Sequence, residues 1–250
     1  EAKGIPAERL TEFGVDEITR NGAPNVRFVH RDLAGEEVST AYRVHMGKDG
    51  HQWKAGSTAY PFGLNRDERA REMFIVEGAS DALTLWHHDR QAIGIPGVSC
   101  AERHLALIDA HPSVQAAEVV SVIVEDSAGL GMLTALAKSE HAHKIRAVVL
   151  EEGLKDPSAL YLDDPDRFTE RLDAATASAV SAEEMLANTS IVRRREAAGQ
   201  AAELIGDPDV LETLAADILD SGVVGEGPNV RLLALVLTSR ILPSPLSAVM

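Results

Sequence analysis

Met73-Phe74-Ile75-Val76-Glu77-Gly78-Ala79-Ser80-Asp81-Ala82-Leu83 is the stretch that decides the fold. Four apolar residues stop abruptly at Glu77-Gly78, and a helical pattern takes over from Asp81 to His88. A short apolar run closed by a turn residue reads as a strand buried on both faces. Working outward, Ala92 to Ile95 is a second strand closed by Pro96-Gly97, and Glu102 to Ala110 is a helix. Val119 to Val124 is almost all β-branched, Gly129 to His141 is helical, and Ile145 to Leu150 is a further strand. Strands that alternate with helices of this length predict an α/β domain: a parallel sheet flanked by helices.

Different patterns lie on either side. Upstream, Val26 to His30 and Val38 to Met46 read as two strands, and Asp32-Leu33-Ala34-Gly35 offers turn chemistry for a hairpin. Lys48-Asp49-Gly50 is a second turn signal, and Trp53, Tyr60 and Phe62 are candidates for a small core. Downstream, Ser181-Ala182-Glu183-Glu184 fits a helix start, and Arg193 to Leu204 and Asp209 to Leu219 carry spaced apolar residues. The expected organisation is a β-rich α+β subdomain over 1–72, the parallel-sheet domain over 73–175, and a helical module over 176–250. Val230 to Leu237 is too apolar to stay in water, so that helix is expected to fold back on 181–220 or to self-associate.

Lysine and arginine number 24 against 39 acidic residues, a net charge of −15 in 250 residues. That balance excludes a protein held to nucleic acid by a broad basic surface. A local patch remains open. Between 20 and 66, Arg20, Arg27, Arg31, Arg43, Lys48, Lys54 and Arg66 face only Asp32, Glu36, Glu37 and Asp49. The single Cys100 excludes an internal disulfide and a cysteine-based zinc module. No apolar run approaches the ~20 residues of a membrane span. The start, Glu-Ala-Lys-Gly, has neither a signal-peptide core nor an initiator Met, as expected of an internal segment of a longer cytoplasmic protein.

In an open α/β sheet, functional groups gather at the carboxyl ends of the strands. Three acidic clusters fall there: Glu77, with Asp81 in the next helix's first turn; Glu125-Asp126, after the Val119–Val124 strand; and Lys155-Asp156-Pro157, past Ile145–Leu150. Converging carboxylates repel unless a cation joins them. Oxygen ligands suit Mg²⁺ or Mn²⁺, the usual equipment of phosphoryl transfer. Asp81 also reads simply as a first-turn acid at a helix start. Glu77 and Asp126 are expected within reach of one cation.

Taken together, these segments resemble the Toprim domain, the metal-binding fold of bacterial primases, phage primase-helicases, topoisomerases and some nucleases. Phe74 to Leu83 resembles its glutamate motif, Ala92 to Gly97 the strand and glycine turn that follow, and Val124 to Gly129 its Asp-x-Asp-x-Ala-Gly element. Lys155-Asp156-Pro157-Ser158-Ala159-Leu160-Tyr161 resembles the later element of primase-type members. Tyr42-Arg43, Lys54-Ala55-Gly56 and Phe62-Gly63-Leu64 resemble the subdomain that precedes Toprim in primases of phages and mobile elements. Ser239 to Leu246 resembles the lead-in to a P-loop ATPase, although no Gly-x-x-x-x-Gly-Lys-[Ser/Thr] motif occurs in the chain.

The resemblance implies a Mg²⁺- or Mn²⁺-dependent DNA primase-type nucleotidyltransferase acting in DNA replication. Its partners would be a DNA template, nucleotides and a fused or associated helicase. It implies Glu77 and Asp126 as catalytic residues, and Glu77, Glu125, Asp126 and Asp156 around the metal. Arg43, Lys54 and Lys155 would meet nucleic acid, and Gly78, Gly97 and Gly129 would make the turns. One family aspartate is missing. Anchored on Ala128-Gly129, the first Asp falls on Val124; read the other way, the second is lost at Ala128. Alternatives are therefore a catalytically weakened module that binds DNA or a helicase, or a Toprim nuclease.

Overall fold

The computed structural model describes residues 4–20, 22–45, 50–124, 127–200, 202, 206–222, 226–240 and 246. The chain divides into two compact units, Glu1–Asn188 and Thr189–Met250.

The first unit opens with α1 (Ala7–Glu12) and an antiparallel sheet in the order β1 (Val15–Arg20), β2 (Ala23–Arg31), β3 (Glu37–Arg43), β4 (His51–Trp53). The β2–β3 hairpin falls where the turn residues place it. Asp32 Oδ1 accepts the amides of Ala34 at 2.9 Å and Glu36 at 3.0 Å, and so holds the turn closed. β1 and α1 were not among the expected elements. Lys48 and Asp49, the second turn signal, lie outside the described residues.

The second sheet has the order β6-β5-β7-β8-β9. Its strands are β5 (Glu72–Glu77), β6 (Ala92–Ile95), β7 (Val119–Ile123), β8 (Ile145–Val148) and β9 (Val180–Ser181). The first four are parallel to their neighbours, as the strand–helix alternation predicts, and β9 pairs antiparallel with β8. The pleat sorts side chains to two cores. Met73, Ile75, Val120, Val122, Ile145 and Ala147 pack beneath α3 (Val98–Asp109), α4 (Pro112–Ala116) and α5 (Ser127–Leu136). Phe74, Val76, Ile123 and Val148 pack against α2 (Ala79–His87), α6 (Pro157–Asp163) and α7 (Phe168–Ala177). Most of these side chains retain almost no exposure, which is why the strands read as apolar runs rather than alternating ones.

Phe62 joins the two sheets. It bonds Gly94 on β6 through both backbone groups, at 2.7 and 2.9 Å, and its ring stacks on Trp86 at 5.1 Å. Phe28 and His30 of β2 pack edge-on against the same ring.

The compact unit runs past residue 175, because β9 completes the main sheet and Ala182 lies in its core. α8 (Ala182–Gln200) leads out of this unit. In the second unit, α9 (Val210–Asp220) packs on α10 (Gly227–Ser239), and the Arg231 guanidinium is paired with Glu212. Val230 and Ala234 are buried, while Leu232, Leu233, Leu235 and Leu237 remain exposed. Among the described residues, no helix is long and apolar enough to cross a membrane.

Candidate active site

The rim of interest is the carboxyl edge of β5, β7 and β8. Register pairs Ile75 with Val122 and Ile123 with Val148, so the ends of these strands are adjacent. Glu77 is the last residue of β5, beside Ile95, and is exposed after four buried residues. A charged side chain that ends a strand with a buried interior is left at the rim.

Two glycine turns close beside it. Gly78 (φ 84°, ψ 171°) and Gly97 (φ 87°, ψ 166°) occupy a region essentially reserved for glycine. Both donate their amides to the Ile95 carbonyl, at 3.1 and 2.8 Å, which ties the β5–α2 turn to the β6–α3 turn. Gly129 works differently. It lies within α5, and an added Cβ would come within 2.9 Å of the Ile123 carbonyl oxygen. Glycine there lets the helix settle directly on the end of β7; it is a close-approach residue rather than a turn.

Between them, Glu125 and Asp126 lie outside the described residues. Val124 is described. It is 7% exposed, belongs to the core beneath α3 and α5, and donates its amide to Val148 at 2.8 Å. That position serves packing. Ala128 lies in the first turn of α5.

Asp81 is neither at the N-cap of α2 nor solvated. It is 5% exposed and accepts a hydrogen bond from Ser158 Oγ at 2.6 Å. Thr84 Oγ1 lies 3.1 Å from the same hydroxyl. A buried carboxylate demands such donors. The contact joins the start of α2 to the start of α6 across 77 residues of sequence. Nothing in local periodicity could have announced it. Asp156 is the N-cap of α6, with its Oδ1 accepting the Ala159 amide at 2.6 Å and Pro157 next in line. Lys155, beside it, is exposed.

Arg43 and Lys54 do not share a surface. Arg43 pairs with Val26 and His51. Lys54, just past β4, bonds Thr40 by its amide. Thr40 and Arg43 have opposite parity on β3, so the two side chains belong to opposite faces of the sheet. Arg43 lies near enough to His51 to oppose its protonation, after burial, the larger cause of its lowered pKa. On Lys54's face, Arg20 stacks 4.5 Å over Tyr42 and Arg27 pairs with Asp16 at 2.5 Å.

Other reactive side chains are structural. Burial raises the Cys100 thiol to about 11, so it stays protonated. Burial also lowers the pKa of His87 and His88, which pack against each other and Tyr161. A cavity lined by Arg66, Glu68, Trp86 and Gln91 lies at the end of α2 opposite Glu77. The Arg66 guanidinium there covers Trp86 at 4.5 Å. Among the described residues, no three histidine, cysteine or acidic side chains gather to hold a metal ion.

Comparison with solved structures matches this geometry to a known fold. The primase fragment of the bacteriophage T7 primase-helicase is 22% identical, with a TM-score of 0.55, over 68% of this chain and 70% of that one. The T7 primase domains solved with an RNA/DNA hybrid and dTTP are 24% identical, with a TM-score of 0.56, over 68% and 88%. The Escherichia coli primase catalytic core is 17% identical, with a TM-score of 0.53, over 94% and 86%. The chain therefore has the fold of phage and bacterial primase catalytic cores. No protein-family model and no curated protein matches the sequence.

Proposed function

We propose that this chain is the catalytic portion of a DNA primase or primase-helicase-like replication protein, joining nucleotides on a DNA template. One observation carries the reading. In a primase-core fold, an exposed glutamate ends the inner strand β5, and the start of α6, capped by Asp156, is bonded to the first turn of α2 just beyond it.

The donors fit a hard divalent cation, since Glu77, Glu125, Asp126 and Asp156 offer oxygen and no imidazole or thiolate. Glu77, Asp126 and Glu125 would hold Mg²⁺ or Mn²⁺, with Asp156 as an outer acid because one of its oxygens is committed to the α6 cap. When bound, the ion supplies charge neutralisation for phosphoryl transfer. The chain's own groups do the rest. Glu77 serves as ligand or general base. Lys155, exposed beside the cap, meets phosphate. Asp81, held by Ser158, fixes the turn that carries Glu77. Arg43 and Lys54 contact template from two faces of the antiparallel sheet.

A second reading has one observation in its favour. On the alignment anchored at Ala128-Gly129, Val124 fills a core position where the resembling family has an aspartate, which suits a weakened module that binds DNA or a helicase. Template-directed incorporation of labelled nucleotide, with Mg²⁺ and then Mn²⁺, separates the two. Glu77→Gln should abolish metal-dependent synthesis, at least ~100-fold, while leaving DNA affinity intact. A wild-type chain that binds DNA yet incorporates nothing favours the second reading.

A further inference from the structure

The segment that brings Lys155 and Asp156 to the rim runs over residues 149–156, between the end of β8 and the start of α6, without regular structure. Ordering such a stretch costs backbone conformational entropy, so something must hold it. Its ends are tied: Val148 accepts the Val124 amide, and Asp156 caps α6.

Leu150 is buried in the core against α2, α6 and α7 and Leu154 packs partly on it, while the polar hold on the middle comes from one side chain. From α7, Arg171 Nε donates to Glu151 Oε1 at 2.7 Å and Nη2 donates to Glu151 Oε2 at 2.6 Å. Its remaining nitrogen, Nη1, donates to Asp163 Oδ2 at 2.8 Å, at the end of α6. The Arg171 side chain is 9% exposed, against 56% for Glu151 and 53% for Asp163. Glu151 in turn accepts the Leu154 amide on its carbonyl at 3.0 Å, one residue before Lys155. A two-pronged guanidinium–carboxylate pair sets orientation as well as distance, which a lysine cannot reproduce. The geometry therefore clamps α7, the end of α6 and the 151–154 turn to one another, close to two candidate site residues. Nothing in the local sequence marks Arg171, since Glu151 lies 20 residues away.

We propose that Arg171 is a positioning residue: its fork on Glu151 fixes the loop that presents Lys155 and Asp156 at the rim. The role rests on the nucleotidyl-transfer reading above.

The test uses the full chain and the variants Arg171→Met, Arg171→Lys and the swap Arg171→Glu with Glu151→Arg. Hydrogen exchange reads the loop directly, and a fluorescent Mg²⁺–nucleoside triphosphate reads the site. In both single variants, amides 152–156 should exchange about tenfold faster and nucleotide affinity should fall about tenfold, the scale of supporting-residue losses. KM should rise more than kcat falls, and the swap should recover part of both. Unchanged exchange at 152–156 overturns the proposal. So does faster exchange with unaltered nucleotide affinity, which leaves Arg171 a purely structural clamp. A wild-type chain that binds no nucleotide overturns the parent reading, and the positioning role with it. Wild-type binding that the variants retain in full overturns the Arg171 role alone.

Discussion

Gly94→Ala is a single methyl aimed at a close backbone contact between β6 and the turn that carries Glu77. An ideal Cβ on Gly94 would sit 2.3 Å from the Gly78 carbonyl oxygen, 2.7 Å from its carbon and 3.2 Å from Ala79 Cα. All three are backbone atoms, so no side chain can swing aside. Ordinary contact begins near 3.4 Å, so the turn must retreat by about 1 Å or the strands must part. Retreat stretches the Gly78–Ile95 bond, now 3.1 Å, beyond use. Overpacking costs ~1–3 kcal/mol and the lost bond ~1, so the sum is about 2–4 kcal/mol. With a urea slope of ~2 kcal/mol per molar, the unfolding midpoint should fall by about 1–2 M. The same displacement carries Glu77, so on the proposed metal-binding reading the rise in melting temperature on adding Mn²⁺ should shrink as well. Gly97→Ala supplies the control: nothing lies within 4 Å of its Cβ, and its cost is only the strain of φ 87°, ~1–3 kcal/mol. A Gly94→Ala chain with wild-type midpoint and undiminished Mn²⁺ response would refute the close-approach argument.

Three further outcomes are expected. Phe62→Ala should cost ~3–5 kcal/mol by differential scanning calorimetry, because a 2% exposed ring stacked on Trp86 is lost from the junction of the two sheets. His30 is 2% exposed, and burial pushes its pKa from 6.5 down to about 4, so the unfolded chain binds the extra proton. Its stabilising effect is full above pH 6.5 and is lost as pH falls toward 4, about 3 kcal/mol in all, and His30→Leu should flatten the unfolding free energy across that window. A chain ending at Asn188 should keep the melting temperature of the first unit, whereas one ending at residue 175 should melt lower for want of β9 and Ala182; equal melting temperatures would count against the placement of β9.

The parallel sheet was legible because its strands are buried on both faces. Such burial leaves an apolar run bounded by turn residues, and Met73–Val76 and Val119–Ile123 are such runs. The hairpin was legible because Asp32 and Gly35 carry turn chemistry locally. β1 was not, since only Val15 is buried and Asp16, Glu17, Thr19 and Arg20 dilute the pattern. β9 was not, because two residues have no period. That is why the boundary near 175 fell short of the compact unit.

Local chemistry by itself determined what each segment wants to be. An apolar strand ends in a glutamate, and glycines follow where the chain must turn tightly. These are properties of residues within a few positions of one another, and they placed Glu77 at a strand end, whereas the α6 helix that Asp156 caps was not among the expected elements. Tertiary structure alone decided what meets what. It set Arg43 and Lys54 on opposite faces, because parity depends on register rather than on residue type. It turned Gly129 into a close contact with β7, buried Val124, delivered Ser158 to Asp81, and brought Arg171 onto Glu151. Each of these joins groups far apart along the chain, and a contact formed only when two surfaces pack leaves no mark on either segment's own periodicity.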